Sequence, residues 1–275
     1  MFNQDFKIHS ICLVKNESDI LKYALEEASK WSDYIYIYDN GSTDGTWEIA
    51  LSMRSEKIIP WKQDDKPFRE SLRAEVFNEF QDRVQPGDWW CRLDADEFYL
   101  MSPKLFLAQV SSIRNVVWGI AIEYYLSQQD LSNIDFTQPI SKVLSQIHLY
   151  QAKNSETRFF RHRKHLKWDV NHAWPQHIGL ANPARICYRH YKYRSPTQIQ
   201  SRLKTRKEAR ERGYPGFDYY VDESSWQDAL VDPKSLWDES IDPSIYISWS
   251  DLPDHLGSKT KQVLKLIMHQ SKLWP

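Results

Sequence analysis

The sequence predicts an α/β domain with a mostly parallel central sheet flanked by helices, followed by a helical and irregular C-terminal extension. Three observations predict it. Over the first hundred residues, apolar β-prone runs alternate with helically spaced segments, the pattern of strands joined by crossover helices. The polar residues of that stretch gather where the strands end, which is where open α/β sheets bind ligands. Finally, 275 residues are enough to bury a substantial core in one large domain.

The elements follow in order. "IHSICLV", residues 8–14, is a central strand, and "ESDILKYALEEASKW" a helix with Ile20, Leu21, Ala24, Leu25 and Ala28 at helical spacing and Ser18 as cap. "DYIYIYDNGSTDGT" is a second strand running into a turn of Asp, Asn, Gly, Ser and Thr. "TWEIALSMR" is a short helix, "KIIPW" a third strand, and "RESLRAEVFNEFQDRV" a helix with Leu72, Val76, Phe77 and Phe80 on one face. Pro86 and Gly87 turn the chain into "DWWCRL", the fourth strand. "VVWGIAIEYYL" is a later strand, with a less regular region to about residue 150. A basic aromatic stretch then precedes "ICYRHYKYRSP" and the helix "TQIQSRLKTRKEARERG". Residues 215–257 are Pro-punctuated and acidic and read as wrapping loops; the last helix carries Val263, Leu264, Leu266 and Ile267 as an apolar stripe expected to pack on the domain. The expected division is 1–212 for the main domain and 213–275 for the extension.

Composition narrows the function classes. The net charge of −1 gives no global sign of a nucleic-acid partner, but residues 158–212 hold 15 Lys and Arg against 3 Asp and Glu, a basic surface suited to an anionic ligand. No nucleic-acid motif accompanies that window, so no nucleic acid is expected. Cys12, Cys91 and Cys187 lie far apart without a C-x-x-C pair, as reduced thiols do. No signal-like N-terminus and no run of about 20 apolar residues is present; the expectation is a cytoplasmic protein. Contact with the inner face of a membrane through the last helix is the alternative.

The chemistry lies at the strand ends: Asn16 and Glu17, Asp39 to Asp44, Asp64 and Asp65, then Asp94 to Glu97. Asp94 and Asp96, at i and i+2 after "WWCRL", can reach one hard cation, and Mg²⁺ or Mn²⁺ held by few carboxylates keeps positions for a diphosphate. In that order and at those separations, "ICLVKNE", "YDNGSTDGT" and "WWCRLDADEF" resemble the family 2 glycosyltransferases of the GT-A fold, whose sheet is Rossmann-like. The resemblance is strong over roughly residues 8–100, thinner to about 210, and does not reach the last 60 or so.

The resemblance implies transfer of a sugar from a nucleotide diphosphate sugar to an acceptor hydroxyl, with inversion, a Mn²⁺ or Mg²⁺ cofactor, and a place in surface glycan or polysaccharide synthesis. Asn16, Glu17 and Asp39 would hold the base and ribose, with Asp64 also reaching the base and Arg73 contacting the donor. Asp94 would face the ribose or metal-bound waters, and Asp96 would bind the metal. His190, ahead of the basic helix, would be a further metal ligand, with Tyr191, Tyr193 and Arg194 beside the diphosphate. Relatives often place an aromatic residue before "HE" near the catalytic base. The nearest counterpart here is "KWDVNHAWPQH", where Ala173 follows His172 and no Glu is present; Asp169 is the first choice of base and His172 the second. Two rivals remain: a nucleotidyltransferase, which the glycine-free "ICLVKNESD" disfavours, and a non-catalytic nucleotide- or carbohydrate-binding module of the same fold.

Overall fold

The computed structural model describes residues 5–213 and 225–274; residues 214–224, which include the start of the acidic segment, and residues 1–4 and 275 lie outside the described residues. The chain runs β1 (Ile8–Val14), α1 (Leu21–Ala28), β2 (Tyr34–Asp39), α2 (Thr46–Ser52), β3 (Ile58–Gln63), α3 (Leu72–Phe80), β4 (Trp89–Leu93), β5 (Glu97–Tyr99) and α4 (Pro103–Ala108). It continues through β6 (Val116–Tyr125), α5 (Asp130–Asn133), α6 (Ile140–Leu144), β7 (Leu149–Arg161), β8 (Ile186–His190), α7 (Pro196–Glu211), β9 (Trp237–Asp238) and α8 (Lys259–Gln270).

One sheet organises the molecule, in the order β3-β2-β1-β4-β7-β6-β8-β5, with β9 added on β7. Its first four strands are parallel, because helical crossovers return the chain to the same end of the sheet each time. Every residue of β1 is buried, as expected for a parallel strand covered on both faces. Ile8, Cys12 and Val14 pack with α1 residues Leu21, Ala24 and Leu25 on one side. Ile11 and Leu13 pack with Leu72, Val76, Phe77 and Phe80 of α3 on the other. Pro60 fits in β3 because β3 is an edge strand, and the register slips past Trp61 at that point.

Beyond β4 the sheet is mixed. β7 runs antiparallel to both β4 and β6, while β6 and β8 are parallel. The acidic residues after β4, Asp94 to Asp96, form a turn that leads into a short strand: β5 pairs with β8, setting Glu97 opposite His190. β6 sets Glu123 opposite the same histidine from the other side. The extension adds β9 to the start of β7, and Ser248 donates to the Ala152 carbonyl. Cys12 and Cys91 are buried free thiols. The apolar stripe of α8 does not pack as expected. Leu266 is partly covered, but Val263, Leu264 and Ile267 are each more than half exposed.

Candidate functional site

The carboxyl ends of β1, β2 and β3 open into a cleft of about 450 Å³, within the range of small-molecule sites. Lys15 and Asn16 line it from β1, Asn40 to Thr43 from the turn after β2, and Gln63 to Asp65 from β3; one face of α7 closes it. Asn16 takes a left-handed backbone conformation (φ 55), a conformation Asn tolerates better than most residues. Its side chain accepts from Thr43 N at 2.9 Å and donates to Thr205 of α7 at 3.0 Å. Gly41 is required in the turn: its φ is +76, and a Cβ there would stand 3.1 Å from the Asp65 backbone.

Asp39 lies at the floor of this turn and is fully buried. Its Oδ1 accepts from Ser42 N at 2.7 Å, while Oδ2 has no hydrogen-bond partner. Burial raises its pKa, and the Ser42 contacts offset this only in part. Asn40, next to it, likewise has a buried Oδ1 without a partner. Buried acceptors are nearly always satisfied; Asn40 lines the cleft, while Asp39 is its neighbour in the chain and does not line it. Asp64 accepts from the Tyr38 hydroxyl at 2.7 Å and pairs with Lys62 at 2.8 Å. Burial opposes its ionisation, but the Lys62 and Tyr38 contacts outweigh it and lower its pKa.

The two carboxylates of the D-x-D end up in different environments. Asp94 is gripped by three guanidiniums: Arg73, Arg92 at 3.2 Å and Arg158 at 3.3 Å. Burial would raise its pKa, yet the three cations hold it well below the carboxylate range. Arg73 also pairs with Glu70, and fully buried Arg158 pairs with Glu97 and with Glu156 at 2.9 Å. Glu97 therefore neutralises an arginine. Glu156, which the sequence reading missed, meets Arg92 at 3.0 Å and is raised by burial.

Asp96 faces His190 and Arg202. His190 Nε2 lies 3.5 Å from its Oδ2, and the Arg202 guanidinium 3.1 Å from the same oxygen. Burial opposes ionisation of Asp96, but His190 and then Arg202 overcome it and hold the carboxyl well below its ordinary range. Arg202 bridges onward to Glu17 at 3.5 Å. Glu17 is also bound by fully buried Arg194, which Asp19 holds at 2.6 Å; burial and the charge of Asp96 nonetheless raise Glu17. The other ring nitrogen of His190 faces Glu123 at 3.9 Å.

Among the described residues, no three His, Cys, Asp or Glu side chains converge as a metal cage. Asp96 and His190 still fit a divalent ion bound mainly through a ligand's oxygens, because they offer one carboxylate and one imidazole side by side. Asp94 fits less well, since both of its oxygens are engaged by arginines.

Asp169 and His172 lie apart from this cluster, in the loop after β7. Asp169 is solvent-exposed and accepts from Asn171 N at 2.8 Å, and that contact lowers its pKa. His172 meets Gln176 at 3.2 Å. The loop is anchored by Trp168, which packs on Phe77 and Phe160 below β4. Arg202 is another residue of the site that the sequence reading passed over, with Glu156, Arg92 and Arg158. It shares one helical face with Thr205, Ala209 and Arg212, and that spacing was the available signal.

No known protein-family model matches the chain. Over 94 residues, 33% of this chain, it is 31% identical to an uncharacterized glycosyltransferase of Rickettsia prowazekii (strain Madrid E), and the match spans 28% of that relative's length. Among solved structures, it aligns with the glucosyl-3-phosphoglycerate synthase of Mycobacterium tuberculosis, crystallised with Mn²⁺, UDP-glucose and phosphoglyceric acid. That alignment covers 47% of this chain and 48% of the other, at a TM-score of 0.29 and 14% identity. A likeness at that level bears on neither donor nor acceptor.

Proposed function

We propose that the chain is a glycosyltransferase of the GT-A kind that takes its sugar from a nucleotide diphosphate sugar. The observation that carries this reading is the cleft at the parallel strand ends, with two orphaned buried acceptors at one side and the Asp96–His190 pair near it through α7. The glycosyltransferase name of the matched relative supports it.

In this reading the nucleoside occupies the cleft, where Asp39 Oδ2 and Asn40 Oδ1 accept from its base or ribose. Asp96 and His190 would hold Mn²⁺ or Mg²⁺. Such an ion supplies charge neutralisation for the diphosphate as it leaves. Arg202 adds a cationic group on the same side. In the transfer, the acceptor oxygen bonds to the anomeric carbon as the bond to the diphosphate breaks, and that electron pair leaves with the diphosphate. Attack from the face opposite the diphosphate inverts the centre, and the hydroxyl proton passes to a carboxylate base.

Two carboxylates compete for that role. Asp169 is ionised and open to solvent; Glu156 is half-exposed, raised by burial, and adjoins the Asp94 network. Asp169→Asn and Glu156→Gln separate them: the true base variant loses at least about a hundredfold in transfer rate while nucleotide-sugar binding persists.

The reading is tested by thermal stabilisation against a panel of nucleotide diphosphate sugars, with and without Mn²⁺, followed by assay of nucleoside diphosphate release. Metal-enhanced stabilisation and release, both lost in Asp96→Ala, are expected. Pyrophosphate release from a nucleoside triphosphate would establish the rival nucleotidyltransferase, and binding without turnover toward any acceptor would leave a binding module.

A further inference from the structure

The last helix presents a surface that the strand-end site does not use. Val263, Leu264 and Ile267 are 57%, 55% and 53% exposed, and Leu273 just beyond is 70% exposed. Spaced i, i+1 and i+4, the first three form one outward side of α8. The inward side carries Gln262, Leu266 and His269. Arg114 donates to Gln262 at 3.2 Å, and Arg163 meets His269 at 2.6 Å, so the helix is held on the body of the protein with its stripe turned away.

The charges within this terminal segment have one sign. Residues 255–275 contain Lys259, Lys261, Lys265 and Lys272 and no Asp or Glu. Beneath the helix is a hollow of about 260 Å³ whose lining includes Ser112, Asn115, Arg163 and His269. Arg163 meets a backbone carbonyl and an imidazole there, and among the described residues it has no carboxylate within ion-pair distance. Burial therefore pushes its guanidinium down to about 10 with no anion to restore it. Ile113, 48% exposed, sits at the rim of the same hollow.

An apolar stripe flanked by lysines on a helix of ~18 Å has the form of an interfacial membrane element. A second copy docked through the same stripe would bring two like-charged helices together, with no Asp or Glu in residues 255–275 to pair with the lysines. We propose that α8, together with Arg163 in the hollow beneath it, docks the protein on an anionic lipid surface: Val263, Leu264, Ile267 and Leu273 enter the acyl boundary, the lysines lie over headgroup phosphates, and Arg163 takes one phosphate. This inference does not depend on the reading of the strand-end cleft.

Co-sedimentation of the full chain with phosphatidylcholine vesicles, with and without phosphatidylglycerol, tests it. Binding to the anionic vesicles alone, weakened by salt, is expected. Lys261→Gln with Lys265→Gln should weaken it about thirtyfold, and Ile267→Asp should abolish it at any salt. These side chains are exposed, so melting temperatures of the variants should match the parent. Equal binding to neutral vesicles, or no binding to either, overturns the proposal. So does a dimer in ultracentrifugation that Ile267→Asp dissolves while vesicle binding is absent, which would make a second copy the occupant.

Discussion

Asp39 keeps a buried carboxylate oxygen without a partner, an arrangement that costs folding stability and that a ligand donor would relieve. Its folded pKa is raised by burial. Stability from this group is therefore greatest below the ordinary carboxylate pKa and falls as pH rises through the folded value. Above the folded pKa, Asp39→Asn removes a buried charge and should stabilise the free protein by on the order of 1 kcal/mol, while nucleotide binding weakens. Thermal melts with and without ligand read both effects; a variant that loses stability and keeps its ligand response would refute the assignment. Arg202 makes the complementary case, since its guanidinium occupies the Asp96 oxygen that faces His190. Arg202→Met should leave that oxygen to a divalent ion and tighten Mn²⁺ binding about tenfold, measured by titration calorimetry. Unchanged Mn²⁺ affinity would mean that the ion, if bound, does not use Asp96. The acidic motif itself was legible, because two carboxylates after an apolar run stand out. That arginines claim Asp94 was not, because Arg73, expected to contact the donor, and Arg158 reach it from 21 and 64 residues away in sequence.

The element that delivers Arg158 depends on a glycine. A Cβ on Gly119 of β6 would stand 2.6 Å from both Arg158 Cγ and Tyr188 Cε1, so the glycine makes room for the guanidinium to reach Asp94 from β7. Gly119→Ala should destabilise by about 2 kcal/mol through overpacking, read by urea denaturation; a change within ~0.3 kcal/mol would show that the two side chains relax freely. β1 to β4 and their helices were legible because buried parallel strands are continuous apolar runs and the helices repeat their apolar residues at 3.6. β5 was not, since three residues carry no period and exist as a strand only by pairing with β8. β7 was hidden for another reason. Its middle, Lys153 to Glu156, is polar, and its pairing with β6 shifts register at Val117/Trp118 and again between Ala121 and Glu123, so no alternation survives. α8 was legible as a helix, but its orientation was not: both faces contain leucine, and only the contacts of Gln262 and His269 with Arg114 and Arg163 decide which side turns inward.

At the carboxyl end of the sheet, the carboxyl groups shift in opposite directions. Asp94 and Asp96 are depressed by arginines and His190, whereas Glu17, Asp39 and Glu156 are raised by burial. For the depressed pair, the stability they contribute is complete above the ordinary carboxylate pKa near ~4 and is lost as pH falls toward their lower folded values. For the raised three, stability declines as pH climbs above that same range. The stability these groups contribute should therefore peak near that same carboxylate range, falling on its acid side as Asp94 and Asp96 take up protons and on its alkaline side as Glu17, Asp39 and Glu156 lose them. Asp94→Asn isolates the acid limb. It leaves Arg73, Arg92 and Arg158 facing one another and should cost about 3 kcal/mol at neutral pH, and it should flatten the acid limb because the native and unfolded chains no longer differ in proton uptake at that site. Melting curves of parent and variant collected from about pH 3 to 8 decide the matter. Parallel curves would mean that the arginine knot does not govern the acid stability of the sheet end, whereas curves that converge as the pH falls would establish that it does.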